Sequence, residues 1–384
     1  RIGLDDEGQE VPLLGAAKLT TQAERYSLGL LGALTEATGD YDQAVLFAGR
    51  YSHNIGERSD VGVIWTHGDP DGVGTADTIG LDLNLRTMDF LDDRNLQWSL
   101  SGVRSTSSEE GGDGSFVSTR LAYPNDQVDL EAGASYVDED FDPKLGFVRR
   151  RGVKRYDADL AWRPRLNGEL VRRLFFELEP VLVTDLDNDL QTAEVELQPF
   201  GVQLESDDRM GVELSFNEEV LDEDFEIAEG IVIPTGDYPF TRGGVYVRTS
   251  EKRPLSIRAE LALGEFFDGE RDDVELELEW RASGWLQMAL ELERNAVSLP
   301  EGDFTVHVAQ LQLGLYPSPD LSWTQYLQYD DVSEELGLNS RVWWILRPGS
   351  DFYAVLNQGW DGAGDGLTPT STRLTFKVGY TLRL

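Results

Sequence analysis

The 384-residue chain contains no cysteine. Disulfides, thiolate metal sites and cysteine nucleophiles are therefore excluded. Bases are scarce too: 33 lysines and arginines stand against 71 aspartates and glutamates, a formal net charge of −38. Such a chain repels nucleic acid and is not drawn to an anionic membrane surface. No apolar run reaches the roughly 18–20 residues that a transmembrane helix needs. Val342-Trp343-Trp344-Ile345-Leu346 is among the longest. The opening, Arg1-Ile2-Gly3-Leu4-Asp5-Asp6, lacks the apolar core of a signal peptide. That decides nothing about compartment, because an exported protein loses its signal. No zinc motif, phosphate loop or dinucleotide fingerprint is present, so no cofactor is expected. Nor does any stretch carry the periodicity of an amphipathic helix. An acidic excess can mean disorder, but 9 Trp, 13 Tyr and 16 Phe belong to a chain that folds.

What the chain has is alternation with period two. In Val274-Glu275-Leu276-Glu277-Leu278-Glu279-Trp280 every second residue is apolar and the others are glutamates. Successive strand side chains point to opposite faces, so this is a strand with one apolar and one charged face. As a helix it would scatter glutamate all round. The design recurs in Ile79 to Arg86, in Glu194 to Gln198, in Leu255 to Leu263 and in Leu286 to Glu293. About 21 such segments of roughly 8–15 residues can be placed, against about 9–11 tilted residues needed to cross a bilayer. Strands of soluble sandwiches run nearer 5–6 residues. A mean hydropathy of −0.35 is no objection, since membrane strands are only half apolar. A large soluble barrel or a β-solenoid is the competing reading, but a solenoid repeats a short fixed sequence period and none is found.

Connections alternate in size. Reading back from the C-terminus, 361–369, 330–335, 295–303, 267–273 and 218–239 are long. Between them 347–350, 317–320, 281–284, 250–253 and 206–209 are short. Upstream, 138–152 and 105–114 are long. Short periplasmic turns and longer extracellular loops mark outer-membrane barrels. The last segment presents Leu374, Phe376, Val378, Tyr380, Leu382 and Leu384 on one face. It resembles the closing strand read by the barrel-assembly machinery, although Leu384 replaces the usual aromatic ending. The fold expected is all-β: a transmembrane antiparallel up-and-down β-barrel of roughly 20–22 strands over residues 1–384, in the bacterial outer membrane, wide enough to carry a plug. Single-chain barrels have even strand numbers, so about 21 segments lead to the expectation of at least one strand upstream of Arg1.

Several stretches resemble one family: Arg1-Ile2-Gly3-Leu4, Gly15-Ala16-Ala17-Lys18-Leu19-Thr20, Asp140-Phe141-Asp142-Pro143, Gly146 to Gly152 and Leu299 to Phe304. It is a set of bacterial outer-membrane proteins in which a domain similar to family 9 carbohydrate-binding modules precedes a long β-barrel. The resemblance covers the chain as the barrel part. It implies a periplasmic domain absent from this chain, and it brings no catalytic residues.

Candidate site residues follow from the faces. Glu194, Glu196, Glu260, Glu275, Glu277, Glu279, Glu291 and Glu293 would form a negative inner wall, offset by Arg258, Arg281 and Arg341. Such a wall favours cations. The same charges could instead be ladders that pack a closed barrel. Arg149, Arg150, Arg151, Lys154 and Arg155 stand together in an acidic chain. They either pair with neighbouring acids, the favoured reading, or bind lipopolysaccharide phosphates or an anionic solute. Asp138, Asp140 and Asp142 offer oxygen ligands suited to calcium without the spacing of a known calcium loop. Trp98, Trp280, Trp285, Trp323, Trp344 and Tyr380 suit interfacial girdles. The three histidines, His53, His67 and His307, have no serine partner legible in sequence, so no enzyme is expected. Three functions stay open: a pore or transporter for sugars or cations, a scaffold presenting a periplasmic domain or binding a partner, and an outer-membrane hydrolase.

Overall fold

The computed structural model describes residues 3, 11–37, 42–70, 74–108, 112–166, 168–362 and 366–381. The described chain is all-β. Twenty-one strands form one antiparallel up-and-down sheet, and two more form a small hairpin. The chain divides into two compact units, Arg1–Arg163 with Glu177–Val195 and Pro164–Phe176 with Glu196–Leu384.

The first unit is a meander of β1 (Leu13–Gln22), β2 (Tyr26–Thr35), β3 (Val45–Ile55), β4 (Ser59–His67), β5 (Ala76–Phe90), β6 (Arg94–Ser107), β7 (Ser115–Pro124), β8 (Val128–Val137) and β9 (Val153–Trp162). Each strand pairs antiparallel with the next. Strands β10 (Val171–Asp185) and β11 (Leu190–Leu204) contribute residues to both units. The second unit continues with β12 (Arg209–Leu221), the hairpin β13 (Phe225–Ala228) and β14 (Ile231–Ile233), and β15 (Gly236–Arg248). Then come β16 (Leu255–Phe266), β17 (Gly269–Ser283), β18 (Leu286–Leu299), β19 (Gly302–Ser318), β20 (Leu321–Asp330), β21 (Glu335–Arg347), β22 (Ser350–Asp361) and β23 (Thr368–Tyr380). Here β12 pairs with β15 and the rest follow in chain order.

Register converts the alternation into continuous faces. Ile257, Leu278, Leu290, Leu311, Leu327 and Leu338 lie side by side across six strands. Large apolar side chains on this face are open to the surroundings: Leu81, Val245, Leu263, Val274, Leu292 and Phe376 among them. In water so broad an apolar surface would aggregate. In hydrocarbon it is covered by lipid, while the strand ladders satisfy the backbone. Trp98, Trp280, Trp323, Trp344 and Tyr380 stand exposed on the same face toward the ends that carry the short turns, where an interfacial girdle belongs. Trp285 sits in a turn instead. The chain is an integral outer-membrane protein of the β-barrel class, its strands joined by short turns at one end and by connections of varied length at the other. Leu382 and Leu384 of the expected closing face lie outside the described residues.

Two connections expected to be long are tight. Strand β16 ends at Phe266 and β17 begins at Gly269; β18 ends at Leu299 and β19 begins at Gly302. These strands stand taller than the bilayer because their alternation continues with its polarity reversed. Along β18 the lipid face reads Leu286, Met288, Leu290, Leu292 and then Arg294, Ala296, Ser298. The opposite face reads Gln287, Ala289, Glu291, Glu293 and then Asn295, Val297, Leu299. Above the membrane the outer face meets water, and the inner face gains an apolar neighbour described below.

Candidate functional site

In the second unit the polar face carries a carboxylate patch built by register. Glu260, Glu275 and Glu293 are direct cross-strand neighbours. One row nearer the turns, Arg209, Arg248, Arg258, Glu277 and Glu291 form an unbroken line. Arg258 Nε donates to Glu260 at 2.9 Å and lies 3.9 Å from Glu275. Arg248 reaches Glu260 at 2.9 Å, and Arg281 reaches Glu279 at 3.4 Å. Glu293 accepts from Asn295 Nδ2 at 2.8 Å. Glu277 and Glu291 face each other with no ion pair among the described residues. Like charges directly opposite each other destabilise a sheet, and Arg258, the neighbour of Glu277 on β16, offsets only one side of the pair. Glu196, on this unit's part of β11, is exposed; Glu194, on the first unit's part, is half-buried. Arg341 makes no ion pair among the described residues and stacks over the Tyr353 ring at 5.3 Å.

In the first unit the polar face is laced by ion pairs that pass through glycine slots. Arg50 on β3 reaches Asp82 on β5 at 3.0 Å across Gly62 of β4. A Cβ at Gly62 would sit 2.5 Å from the Asp82 carboxylate and 2.9 Å from the guanidinium. Arg120 on β7 likewise reaches Asp157 on β9 at 3.0 Å across Gly133 of β8, and also holds Glu131. Arg86 pairs with Asp60 at 2.7 Å. Between these pairs run small hydroxyls, with Ser27–Ser52 and Ser101–Ser118 each at 2.7 Å.

Each unit also folds one outer segment onto its own polar face. In the first, Phe141 of the 138–152 loop is buried against Val137, Val153 and Val183 and stacks with Phe116 at 6.0 Å. Leu145 packs on Ala33, Ala44 and Leu46 of the β2–β3 region. The Asp142 N–H donates to the fully buried Ser105 Oγ at 3.0 Å. In the second, Ile227, Ile231 and Ile233 of the β13–β14 hairpin join Tyr238, Phe266, Val297, Leu299 and Phe304. This is the neighbour that the reversed alternation of β16–β19 serves.

The basic run of the first unit is dispersed. Arg151 pairs with Asp142 at 2.6 Å. Arg150 donates to Thr192 Oγ1 at 3.3 Å, and Lys154 donates to the Leu186 carbonyl at 2.6 Å and Asn188 Oδ1 at 2.8 Å. Arg155, on β9, pairs with Asp157 at 3.3 Å. Arg149 is exposed and makes no ion pair among the described residues. Asp142 is taken by Arg151 and by Lys144, 3.6 Å away. Among the described residues no group of three carboxylates or histidines is placed to hold a metal.

Each histidine is engaged by a partner other than serine. His53 meets the Tyr51 hydroxyl at 3.1 Å, His67 meets Asp77 at 3.0 Å, and His307 meets Asp331 at 2.5 Å. At the short turns of the second unit, Arg253 donates two bonds to Asp208, at 2.6 and 2.7 Å, and Ser206 Oγ and the Ser250 N–H add two more. The guanidinium first and the Ser206 hydroxyl next hold the Asp208 carboxyl well below the usual carboxylate range. Sequence reasoning missed the roles of Phe141, Leu145, Ser105 and the hairpin. Their one advance signal is the presence of bulky apolar residues inside acidic loops.

No family model and no curated protein matches the sequence. In fold, the chain is similar to the open form of the ferric-catecholate import receptor Fiu from E. coli K12, with a TM-score of 0.49 and 9% identity over 96% of this chain and 72% of that one. It is similar to the copper transporter OprC (TM-score 0.47, 9% identity, 96% and 72% covered). It is also similar to the siderophore receptor PirA from Acinetobacter baumannii (TM-score 0.47, 9% identity, 95% and 70% covered). Likenesses this distant carry no statement about a ligand.

Proposed function

We propose that this protein conducts small solutes across the outer membrane along an acid-rich inner face that favours cations and neutral hydrophilic molecules over anions. The opposed Glu277 and Glu291 carboxylates, neither in an ion pair among the described residues, carry the reading. Opposed carboxylates cost stability, and a fold keeps such an arrangement where the charge has a task. Carboxylate-lined walls select cations by raising their local concentration. The serine-rich, short side chains of the first unit's polar face suit a hydrated surface as well. Single-channel recording across a salt gradient tests the reading. Discrete steps with a cation-directed reversal potential support it, and silence from folded, heat-modifiable protein overturns it.

A second reading draws on a different observation. Apolar packing of the 138–152 loop and of the β13–β14 hairpin onto the polar face suits a closed barrel. Such a barrel would act as a scaffold, presenting a periplasmic carbohydrate-binding-like domain or binding a partner at the cell surface.

A further inference from the structure

The chemistry of one cavity, at the turn end of β18–β22, is unlike that of the acidic wall. Its volume is about 760 Å³, and Tyr316, Asp320, Thr324, Arg341, Trp343 and Tyr353 are among its walls. We infer that it is a carbohydrate subsite, which takes the ring of a neutral sugar against Trp343; the inference rests on the transport reading and deepens it.

Strand geometry sets the aromatic groups in place. Trp343 and Trp344 are adjacent, so one faces lipid and the other the polar side. Trp344 lies in the lipid row beside Leu321 and Phe352, and Trp343 pairs on the opposite face with Tyr353. An aromatic girdle needs Trp344 but gives no reason for Trp343. The Trp343 and Tyr353 rings lie 5.8 Å apart and within 5° of parallel, and Trp343 remains 38% exposed. Gly314 stands two residues before Tyr316 on the same face. A Cβ there would lie 2.7 Å from the Tyr316 ring and hydroxyl, so the glycine lets the tyrosine lie flat along its strand. The cavity thus has a stacked Trp343–Tyr353 pair and a tyrosine laid along its strand among its walls.

The polar groups decide the ligand class. Arg341 supplies only donors and Asp320 only acceptors. Neither makes an ion pair among the described residues, and Ser322 and Thr324 beside them do both. A ligand that satisfies all of these must donate and accept at several points while offering an apolar face to the indole. A sugar ring does so: its hydroxyls lie round the rim and its C–H bonds on the faces. An aromatic acid would use the indole and Arg341 but meet repulsion from Asp320. A cation would meet Arg341 and also Lys377, whose Nζ lies 5.9 Å from the Tyr353 ring centre. The volume falls inside the range of about 300–1,000 Å³ typical of small-molecule sites.

Binding is read with the full chain in detergent micelles by tryptophan emission and calorimetry, using maltotriose, cellotriose and 4-hydroxybenzoate as probes. One or both sugars should bind. Trp343→Ala should weaken that binding roughly tenfold, the scale of one lost aromatic contact, and Trp343→Phe should restore most of it. Should Trp343→Ala fail to fold, Arg341→Gln carries the test through the loss of donors. Failure of both sugars to bind overturns the inference, as does 4-hydroxybenzoate binding in their place or sugar binding indifferent to both substitutions. The readout needs no conduction. Sugar binding by a silent barrel would end the transport reading and keep the subsite, whereas conduction without sugar binding would do the reverse.

Discussion

Replacing Glu277 and Glu291 together by glutamine should strip most of the cation preference from the conducting protein. Leaving out Arg209 at the far end of its row, three strands from Glu277, the patch holds five carboxylates, Glu260, Glu275, Glu277, Glu291 and Glu293, against the two guanidiniums of Arg248 and Arg258, which leaves three net negative charges. Three charges about 8 Å from a monovalent cation, in water of dielectric constant about 80, attract it by about 1.6 kcal/mol. Screening over a Debye length of about 10 Å at 0.1 M salt cuts this to about 0.7 kcal/mol. Cations are then enriched about threefold and anions depleted about threefold, for a permeability ratio near ten. The double substitution leaves one net charge, about 0.2 kcal/mol and a ratio of about two. Reversal potentials across a salt gradient measure the ratio directly. In 1 M salt, with a Debye length of about 3 Å, parent and variant should converge. Should the variant keep its parent's ratio at 0.1 M, the carboxylate patch does not set selectivity and the argument fails.

The absence of native cysteine makes Ala33→Cys a clean reporter beneath Leu145. Adding Phe141→Ala, with a truncation cost of about 3 kcal/mol, should speed its labelling by a charged thiol reagent about a hundredfold, since labelling tracks the undocked loop; a change under threefold would mean that Phe141 does not hold the loop. Gly62→Ala forces the Arg50–Asp82 pair aside and should cost about 1 kcal/mol, as expected for a half-exposed ion pair. That loss would be seen as a lower midpoint of heat modifiability. Gly102→Ala, with open space around its Cβ, should leave the midpoint unmoved, and equal effects of the two would remove the slot argument. Asp208 is held below its ordinary value, so its contribution is complete above an unfolded-state pKa of about 3.9 and is lost as pH falls from there toward the folded value. Exchange at the Ser250 N–H should therefore accelerate, relative to its intrinsic rate, below about pH 4. Asp208→Asn should abolish that acceleration, and persistence in the variant would point to another group. Leu290→Arg, on the lipid face near mid-strand, should cost about 2–4 kcal/mol of membrane-folding stability, and Ser298→Arg on the same face of β18 about 0–1. Similar costs in urea titrations would contradict the polarity boundary drawn between Leu292 and Arg294.

The strands were legible because two local rules agree along their length. Glu275, Glu277 and Glu279 alternate with Leu276, Leu278 and Trp280, and lipid on one side with water on the other gives that alternation only one stable orientation. The carboxylate wall was legible for the same reason, since side-chain direction in a strand follows from position alone. Register was not, because it depends on which residues meet across turns whose lengths the sequence blurs. It is register that puts Glu277 opposite Glu291 and opens a gap at Gly62 between Arg50 and Asp82.

The outer loops were misread for a related reason. Asn295 to Asp303 looks like a loop when apolar-out alternation is taken as the sign of a strand, because above the membrane the sign of that alternation reverses. Ser298 faces water there, while Val297 and Leu299 face the β13–β14 hairpin. A strand that leaves the bilayer without ending exchanges its solvents: water replaces lipid outside, and apolar side chains replace water inside. The reversal at Leu292–Arg294 therefore marks two things at once, the outer limit of the hydrocarbon and the lower limit of the inward packing. Carboxylates and apolar contacts are then set apart along one strand, the carboxylates at bilayer height and the apolar contacts above them.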